Sequence, residues 1–552
     1  MKKFLSLVLA LVMTMSLVTV SAGAKDFTDS GELSGEQYAE AVNVMSEMGI
    51  IDGYAGGDFR PQGTLTRQAA AKIIACMILG KTTAESLGTS AAPFKDVPAG
   101  SSFAGYIAFC VERGLIDGYA DGTFRPTGTL TGFAFLKMLL GALGYDSSIE
   151  GYTGPNWTVN VAGRAYEIGL TAGNDEFVGA QACTREQAAL YAVNTLKTTL
   201  VEYTDRGSEI TVNGAVISTA ASVPTYVTSS VYNQATSINA DRDNSGDYTV
   251  EFAERYQPDL TMDRDTDDFG RPSYTWAWKN RDIGTYVDYS LMVAEYTTGV
   301  SGRELYNVLT ASTIRNADLD VYVDGVEPDE ADTIDKSDLS RSNQDDVGVT
   351  DNGVLTQVFV DTDANDGDGL ITIASINTWL AQATANYSES KEYAPLKVFT
   401  GKGGANTTYN VDVEDVANVA DVADEAFYLV NISYKDSNRG EVVAIQDAEV
   451  MEDSTVTKWS SDDDLVVSKL TTDGTQYEAA AKAYYDDENL YAYDRDLLTD
   501  MSYNVYLDQY GYVIGVELYE GTMKYVFITG YDRNSSNLSI RTATAGAIFL
   551  DG

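Results

Sequence analysis

Through the first two hundred residues or so, apolar side chains recur at helical spacing. Tyr38, Ala41, Val42, Met45 and Met48 form one stripe, with Ser34 and Gln37 placed ahead of it as a capping box. Ala69, Ala70, Ile73, Ile74 and Met77 form a second, ended by Gly80. Tyr106, Phe109 and Cys110 open a second pair, closed by a helix from about Gly132 to Leu140. Trp157, Val161, Ala165 and Ile168 open a third, and Thr184-Arg185-Glu186-Gln187 supplies a capping box for its last helix. Beyond about residue 200 the period shortens to two. Short runs rich in Tyr, Thr, Val and Asp predict strands at Glu209 to Ile217, Asp318 to Val323, Ala426 to Ile432 and Tyr503 to Leu507. Tyr503 to Glu517 reads as a hairpin turning at Asp508-Gln509-Tyr510-Gly511, and short helices are expected at Tyr296 to Leu309 and Glu478 to Tyr484. The class expected is multidomain: an all-α N-terminal part, then all-β modules of sandwich or small-barrel type over 201–330, 331–400 and 401–552.

Between the paired helices lies a repeated loop. Ile51 to Thr66 returns at Ile116 to Thr131, 65 residues later, with 13 of 16 positions identical. A return at fixed period means repeated structural units. Asp-Gly and Gly-Gly steps supply turns, with Gly53 and Gly118 as turn residues; Phe59 and Phe124 plug each loop; Thr66 and Thr131 stand as N-caps. In the third pair Gly169 to Gly173 and Phe177-Val178 replace the loop, so this copy rests on order and spacing.

These units resemble S-layer homology (SLH) domains. The carrying residues are Phe27-Thr28-Asp29 and Phe94-Lys95-Asp96-Val97, the two Asp-Gly-Tyr…Phe-Arg-Pro loops, Thr66-Arg67 and Thr184-Arg185-Glu186. The resemblance covers 25–82, 90–145 and a degenerate 150–200. It implies three units packed as a pseudo-threefold helical prism with grooves between them. It also implies non-covalent anchoring of an exported protein to secondary polysaccharide of a bacterial cell wall.

Arg67 and Arg185 each follow an N-cap Thr. The helix dipole disfavours a cation there by about 0.3–1 kcal/mol, a placement that makes sense if an anion shares the site. Arginine adds a two-pronged donor, and the resemblance supplies a matching ligand, wall polysaccharide with acidic substituents such as pyruvate ketals. The second copy has Gly132 at this position, a departure from the family pattern. Asp29 and Asp96 are read as groove residues or as caps, and Tyr54 and Tyr119 as sugar-stacking rings or loop plugs.

The chain carries 82 acidic against 37 basic residues, no His, and a net charge of −45, nearly all of it beyond residue 200 or so. Phosphate polymers and anionic lipid would be repelled, which argues against nucleic acid and membrane surfaces as partners. Lys2 and Lys3, the apolar run Phe4 to Val20, and Ala22-Gly23-Ala24 read as a secretory signal over 1–24, or an anchor if left uncleaved. Cys76, Cys110 and Cys183 fit no metal motif and are expected as buried small hydrophobes.

Two acidic stretches resemble calcium loops in part. Asp241-Arg-Asp243-Asn-Ser245 meets Phe252 at its last ligand position, and Asp361-Thr-Asp363-Ala-Asn365 has its glycine one place late. They read as polar hairpin turns or weak Ca²⁺ sites, with no other cofactor implied. With no histidine, Ser-His-Asp and Cys-His chemistry and His-ligated zinc are absent. Nothing selects a carboxylate pair for glycoside hydrolysis. The favoured reading is a non-catalytic, wall-anchored surface protein of S-layer or adhesion type, with wall polysaccharide as its partner and further copies of itself in a surface layer as a candidate one; the alternative is an SLH-anchored polysaccharide hydrolase. The strand-like end Ala547 to Gly552 fits either a longer array or a truncation.

Overall fold

The computed structural model describes residues 27–88, 92–174, 176–212, 215–219, 221–232, 237–238, 240, 248–329, 333–401, 405–413, 416–461, 467–486, 502–519, 526–532 and 544–549. The signal-like segment and Asp241, Asp243 and Ser245 lie outside these residues. Contacts form two compact units: one takes in residues up to Asp265 together with Tyr274–Tyr286, the other Thr266–Ser273 and residues from Val287 onward.

The first unit is mainly helical. Its principal helices are α1 (Glu36–Glu47), α2 (Arg67–Leu79), α3 (Ala104–Glu112), α4 (Gly132–Leu143), α5 (Trp157–Glu167) and α6 (Arg185–Leu196). The expected stripes are buried: Ala41, Val42 and Met45 of α1, Ile74 and Met77 of α2, and Leu136, Leu139 and Leu143 of α4 are all about fully enclosed. Thr66, Thr131 and Thr184 cap α2, α4 and α6 by accepting Ala69 N, Ala134 N and Gln187 N, and Gln187 returns the bond to Thr184 N. The capping box expected at Ser34 does not form. Gly35 stands at the N-cap of α1, and the Ser34 hydroxyl donates instead to Glu186 Oε1 at 2.6 Å, because a buried carboxylate is the stronger acceptor. Cys76, Cys110 and Cys183 are free and buried, as read from their apolar neighbours. Burial pushes the Cys76 thiol up to about 11 and the other two up to about 12, so they act as hydrophobes.

Three backbone bonds close a ring at the centre of this unit. Leu65 N donates to Cys183 O (2.8 Å), Cys183 N to Leu130 O (2.9 Å), and Leu130 N to Leu65 O (2.9 Å). Later residues complete the unit. Gln257 Nε2 caps the end of α2 through Cys76 O and Met77 O, at 3.1 and 2.7 Å. Trp276 Nε1 and Tyr274 Oη donate to the buried carboxylate of Glu40 on α1, and Asn43 donates to Tyr286 Oη.

The second unit is sheet-rich. A four-stranded sheet has the order Met292–Tyr296, Leu355–Asp361, Leu370–Ile376, Asp318–Val323, the last pair parallel. A five-stranded sheet runs Ala405–Asp412, Tyr393–Gly401, Trp379–Ala383, Phe427–Ser433, Glu441–Asp447; it crosses position 400, where the sequence suggested a soft boundary. A six-stranded sheet is built around Glu449–Ser461 and Ser502–Leu507. The unit is not wholly β. Ser301 and Glu304 form a capping box and start a helix at Gly302–Leu309, followed by Ala311–Asn316. Tyr296, placed at the start of that helix by the sequence, instead ends the strand Met292–Tyr296. The helix expected over Glu478 to Tyr484 is also absent: Thr475–Glu478 is an edge strand and Ala479 bridges to Val513. Alternation divides one strand between two cores: Trp379, Ala381 and Ala383 pack in one, Leu380 in another with Tyr506 and Ile514.

The expected hairpin is present, Ser502–Leu507 pairing with Val513–Leu518. Its turn buries Asp508, whose Oδ1 accepts Tyr510 N and Tyr512 N at 2.9 and 2.8 Å. Oδ2 has no hydrogen-bond partner among the described residues and lies against Gly353. Burial pushes the Asp508 carboxyl up to about 7, and Asp324, which accepts from Asn377, up to about 6. The unfolded chain releases these protons near pH 4, roughly. Their ionisation therefore erodes stability as pH rises from about 4 toward 7. Asp508→Asn is expected to flatten the fall in melting temperature between about pH 5 and pH 8. Thermal melts of the mature chain at both pH values check this; an unchanged slope would refute it.

Candidate functional site

The two repeated loops are held by one aspartate each. Asp29 accepts Phe59 N and Arg60 N, both at 2.7 Å, and Asp96 accepts Phe124 N and Arg125 N, both at 2.7 Å. Loss of water, the largest single influence, pushes the Asp96 carboxyl up, but the two N–H groups together bring it below the ordinary carboxylate range. Phe27 stacks on Phe59 and Phe94 on Phe124, each pair with ring centres 5.3 Å apart, filling the loops. This clamping fixes Arg60 and Arg125 at φ values of 60° and 58°, a left-handed backbone that residues other than glycine seldom adopt.

Each loop meets the start of a helix from another repeat. Arg185 Nε donates to Phe59 O (2.8 Å) and its Nη2 to Asp52 O (2.9 Å). Arg67 does the same in the second loop, Nε to Phe124 O (2.8 Å) and Nη2 to Asp117 O (2.6 Å). Burial pulls both guanidiniums below arginine's ordinary value, yet they stay charged. The helix N–H groups are also taken. Arg185 N and Glu186 N bond to Gly63 O and Pro61 O; Arg67 N and Gln68 N bond to Gly128 O and Pro126 O. The helix N–H groups that an anion sharing this site would use are thus already occupied by the neighbouring loop.

Tyr54 and Tyr119 lie in the same junctions, each about two-fifths exposed. Arg60 sits 4.0 Å from the Tyr54 ring centre and Arg185 4.9 Å; Arg125 and Arg67 take the same places over Tyr119 at 3.9 and 5.0 Å. Each junction thus gathers Asp, Tyr and two Arg from two repeats. Arg60 and Arg125 are not among the site residues the sequence suggests, although Phe-Arg-Pro stands unchanged in both loops. The third junction differs. Gly132 N and Phe133 N bond to Gln181 O and Gly179 O, but a side chain at Gly132 would meet Phe177 and Gly179. Phe133, Phe177 and Trp157 fill the place, with ring centres 5.7 and 6.5 Å from Phe133.

The acidic hairpin at Asp361 is bonded within itself and to the neighbouring strand Asp318–Val323. Asp361 accepts Asp363 N and Ala364 N, and Asn365 donates to Asp318 Oδ2 and Gly369 O. Among the described residues no three acidic, His or Cys side chains cluster in a way that could hold a metal ion.

Replacing Arg67 by Ala would leave Phe124 O and Asp117 O unpaired in a buried junction, a destabilisation of about 2 kcal/mol or more. Arg67→Lys should recover part of it, because a lysine reaches one carbonyl but cannot fork. Chemical denaturation of the three proteins checks the order; a neutral Arg67→Ala would contradict it.

A family model described as the S-layer homology domain matches residues 26–71 and 93–136. Over 215 residues the chain is 24% identical to "Surface layer protein" of Brevibacillus choshinensis, covering 39% of this chain and 18% of that protein. It is 23% identical over 215 residues to "Middle cell wall protein" of Brevibacillus brevis, covering 38% of this chain and 19% of that one. An "Endoglucanase" of Bacillus sp. is 36% identical over 110 residues, covering 19% of this chain and 12% of the enzyme. The chain thus spans about a fifth or less of these relatives' length. Among the described residues no helix is long and apolar enough to cross a membrane. The family match and the surface-layer relatives agree: the chain carries S-layer homology domains at residues 26–71 and 93–136 and is a secreted protein associated with the bacterial cell wall or cell surface.

Proposed function

We propose that three repeats, the third a degenerate copy, form a pseudo-threefold prism that holds the chain to an acidic secondary polysaccharide of the cell wall, while sandwich-type β modules are displayed outward without catalysis. The carrying observation is the duplicated junction. Tyr54, Arg60 and Arg185 recur as Tyr119, Arg125 and Arg67, at centre distances that agree within about 0.1 Å. A tyrosine ring offers a stacking face and two arginines offer cationic donors, the chemistry an acidic sugar requires. The ring of bonds among Leu65, Leu130 and Cys183 supports the threefold reading. The third junction, filled by Phe133, Phe177 and Trp157, lacks the arginine and is read as packing.

The net charge of −45 does not oppose an anionic ligand at these points. At physiological salt the screening length is about 8 Å, so acidic residues further away are largely masked while the local arginines are not. The mature chain is expected to sediment with isolated cell walls, to be released by soluble wall polysaccharide, and to be progressively lost as salt is raised to about 1 M. Sedimentation assays at graded salt check this. A chain that stays in the supernatant at low salt would end the reading.

A further inference from the structure

Resting on the wall-binding reading, we infer that the exposed arginines of the loops, Arg60 and Arg125, are the groups that grip a carboxylate of the bound polymer, and that Arg67 and Arg185 position them. Arg67 and Arg185 each spend Nε and an Nη2 hydrogen on backbone carbonyls of the facing loop. The helix N–H groups beside them are likewise committed to the facing loop. Arg60 and Arg125 are the cations in each junction that present a guanidinium to solvent, with 57% and 56% of the side chain exposed.

Two independent features mark them out. The first is backbone conformation. Both are non-glycine residues at φ near +60°, and in both loops an aspartate clamps the N–H to hold them there. A strained backbone repeated at equivalent positions points to a role that glycine would not serve, and the side chain is what glycine lacks. The second is the company each guanidinium already keeps. Arg60 pairs with Asp58 and Arg125 with Asp121, carboxylates of their own loops that are themselves exposed or partly so. The two partners do not match in position: Asp58 lies two residues before Arg60, Asp121 four residues before Arg125. The arginine is the constant element, and its carboxylate partner is interchangeable. Exposed pairs of this kind are weak, so an incoming carboxylate can take the place of Asp58 or Asp121 while the tyrosine ring beneath supports the guanidinium.

The test uses the mature chain with Arg60→Gly and Arg125→Gly together. Glycine adopts φ near +60° without strain, so the melting temperature is expected to hold or rise, while retention on isolated walls falls by about tenfold or more. A lysine pair, Arg60→Lys with Arg125→Lys, should restore part of the retention. Walls whose carboxylates have been amidated with carbodiimide should bind the wild-type chain no better than untreated walls bind the glycine variant. Unchanged retention of the glycine variant would overturn the inference, as would full binding of the wild type to amidated walls. A melting temperature that drops together with retention would also overturn it by showing a structural role. Failure of the wild type to bind untreated walls would instead overturn the wall-binding reading itself.

Discussion

The helical unit depends on how the first N–H groups of three helices find acceptors. A threonine satisfies one of them within each repeat, at Thr66, Thr131 and Thr184. The two N–H groups ahead of that one are satisfied by a loop from a different repeat, Gly128 and Pro126 for α2, Gln181 and Gly179 for α4, Gly63 and Pro61 for α6. Buried N–H groups without partners are costly, so no repeat is complete without the others. The ring through Leu65, Leu130 and Cys183 is the centre of the same arrangement.

On the proposed reading, that dependence explains why the binding chemistry falls between repeats. The loop that supplies acceptors to a neighbouring helix also carries the Tyr and the exposed Arg, and the helix it receives brings a second Arg. On that reading, assembly of the unit also assembles the proposed site. At the third junction the same backbone bonds are made with Gly132 in place of arginine, and aromatic rings occupy the volume. Packing alone can therefore hold a junction together, which separates the structural part of the design from the part left to ligand chemistry.

Local features of this fold were legible in sequence; features that rest on distant partners were not. The N-cap threonines, the apolar stripes and the hairpin turning at Asp508 each depend on neighbours within a few residues, and the periodicity exposes them. Ser34 fails as a cap because Glu186, 152 residues away, takes its hydroxyl. Arg185 was placed correctly at the start of a helix, but its acceptors, Phe59 O and Asp52 O, lie 126 and 133 residues away. The stretch from Glu478 contains good helix formers, Ala479 to Lys482, yet pairing with Val467–Thr472 and Val513 draws its start into a sheet. Arg60 and Arg125 were visible as letters but not as strained, exposed cations, because the aspartates that clamp them are about thirty residues upstream, 31 and 29.

The central claim is that two of the three junctions between repeats, and not the third, are binding sites. Calorimetric titration of the mature chain with a short, homogeneous fragment of wall polysaccharide measures this most directly. The account requires saturation at two fragments per chain. Saturation at three, which would make the Gly132 junction a site, or no saturable heat at all would contradict it.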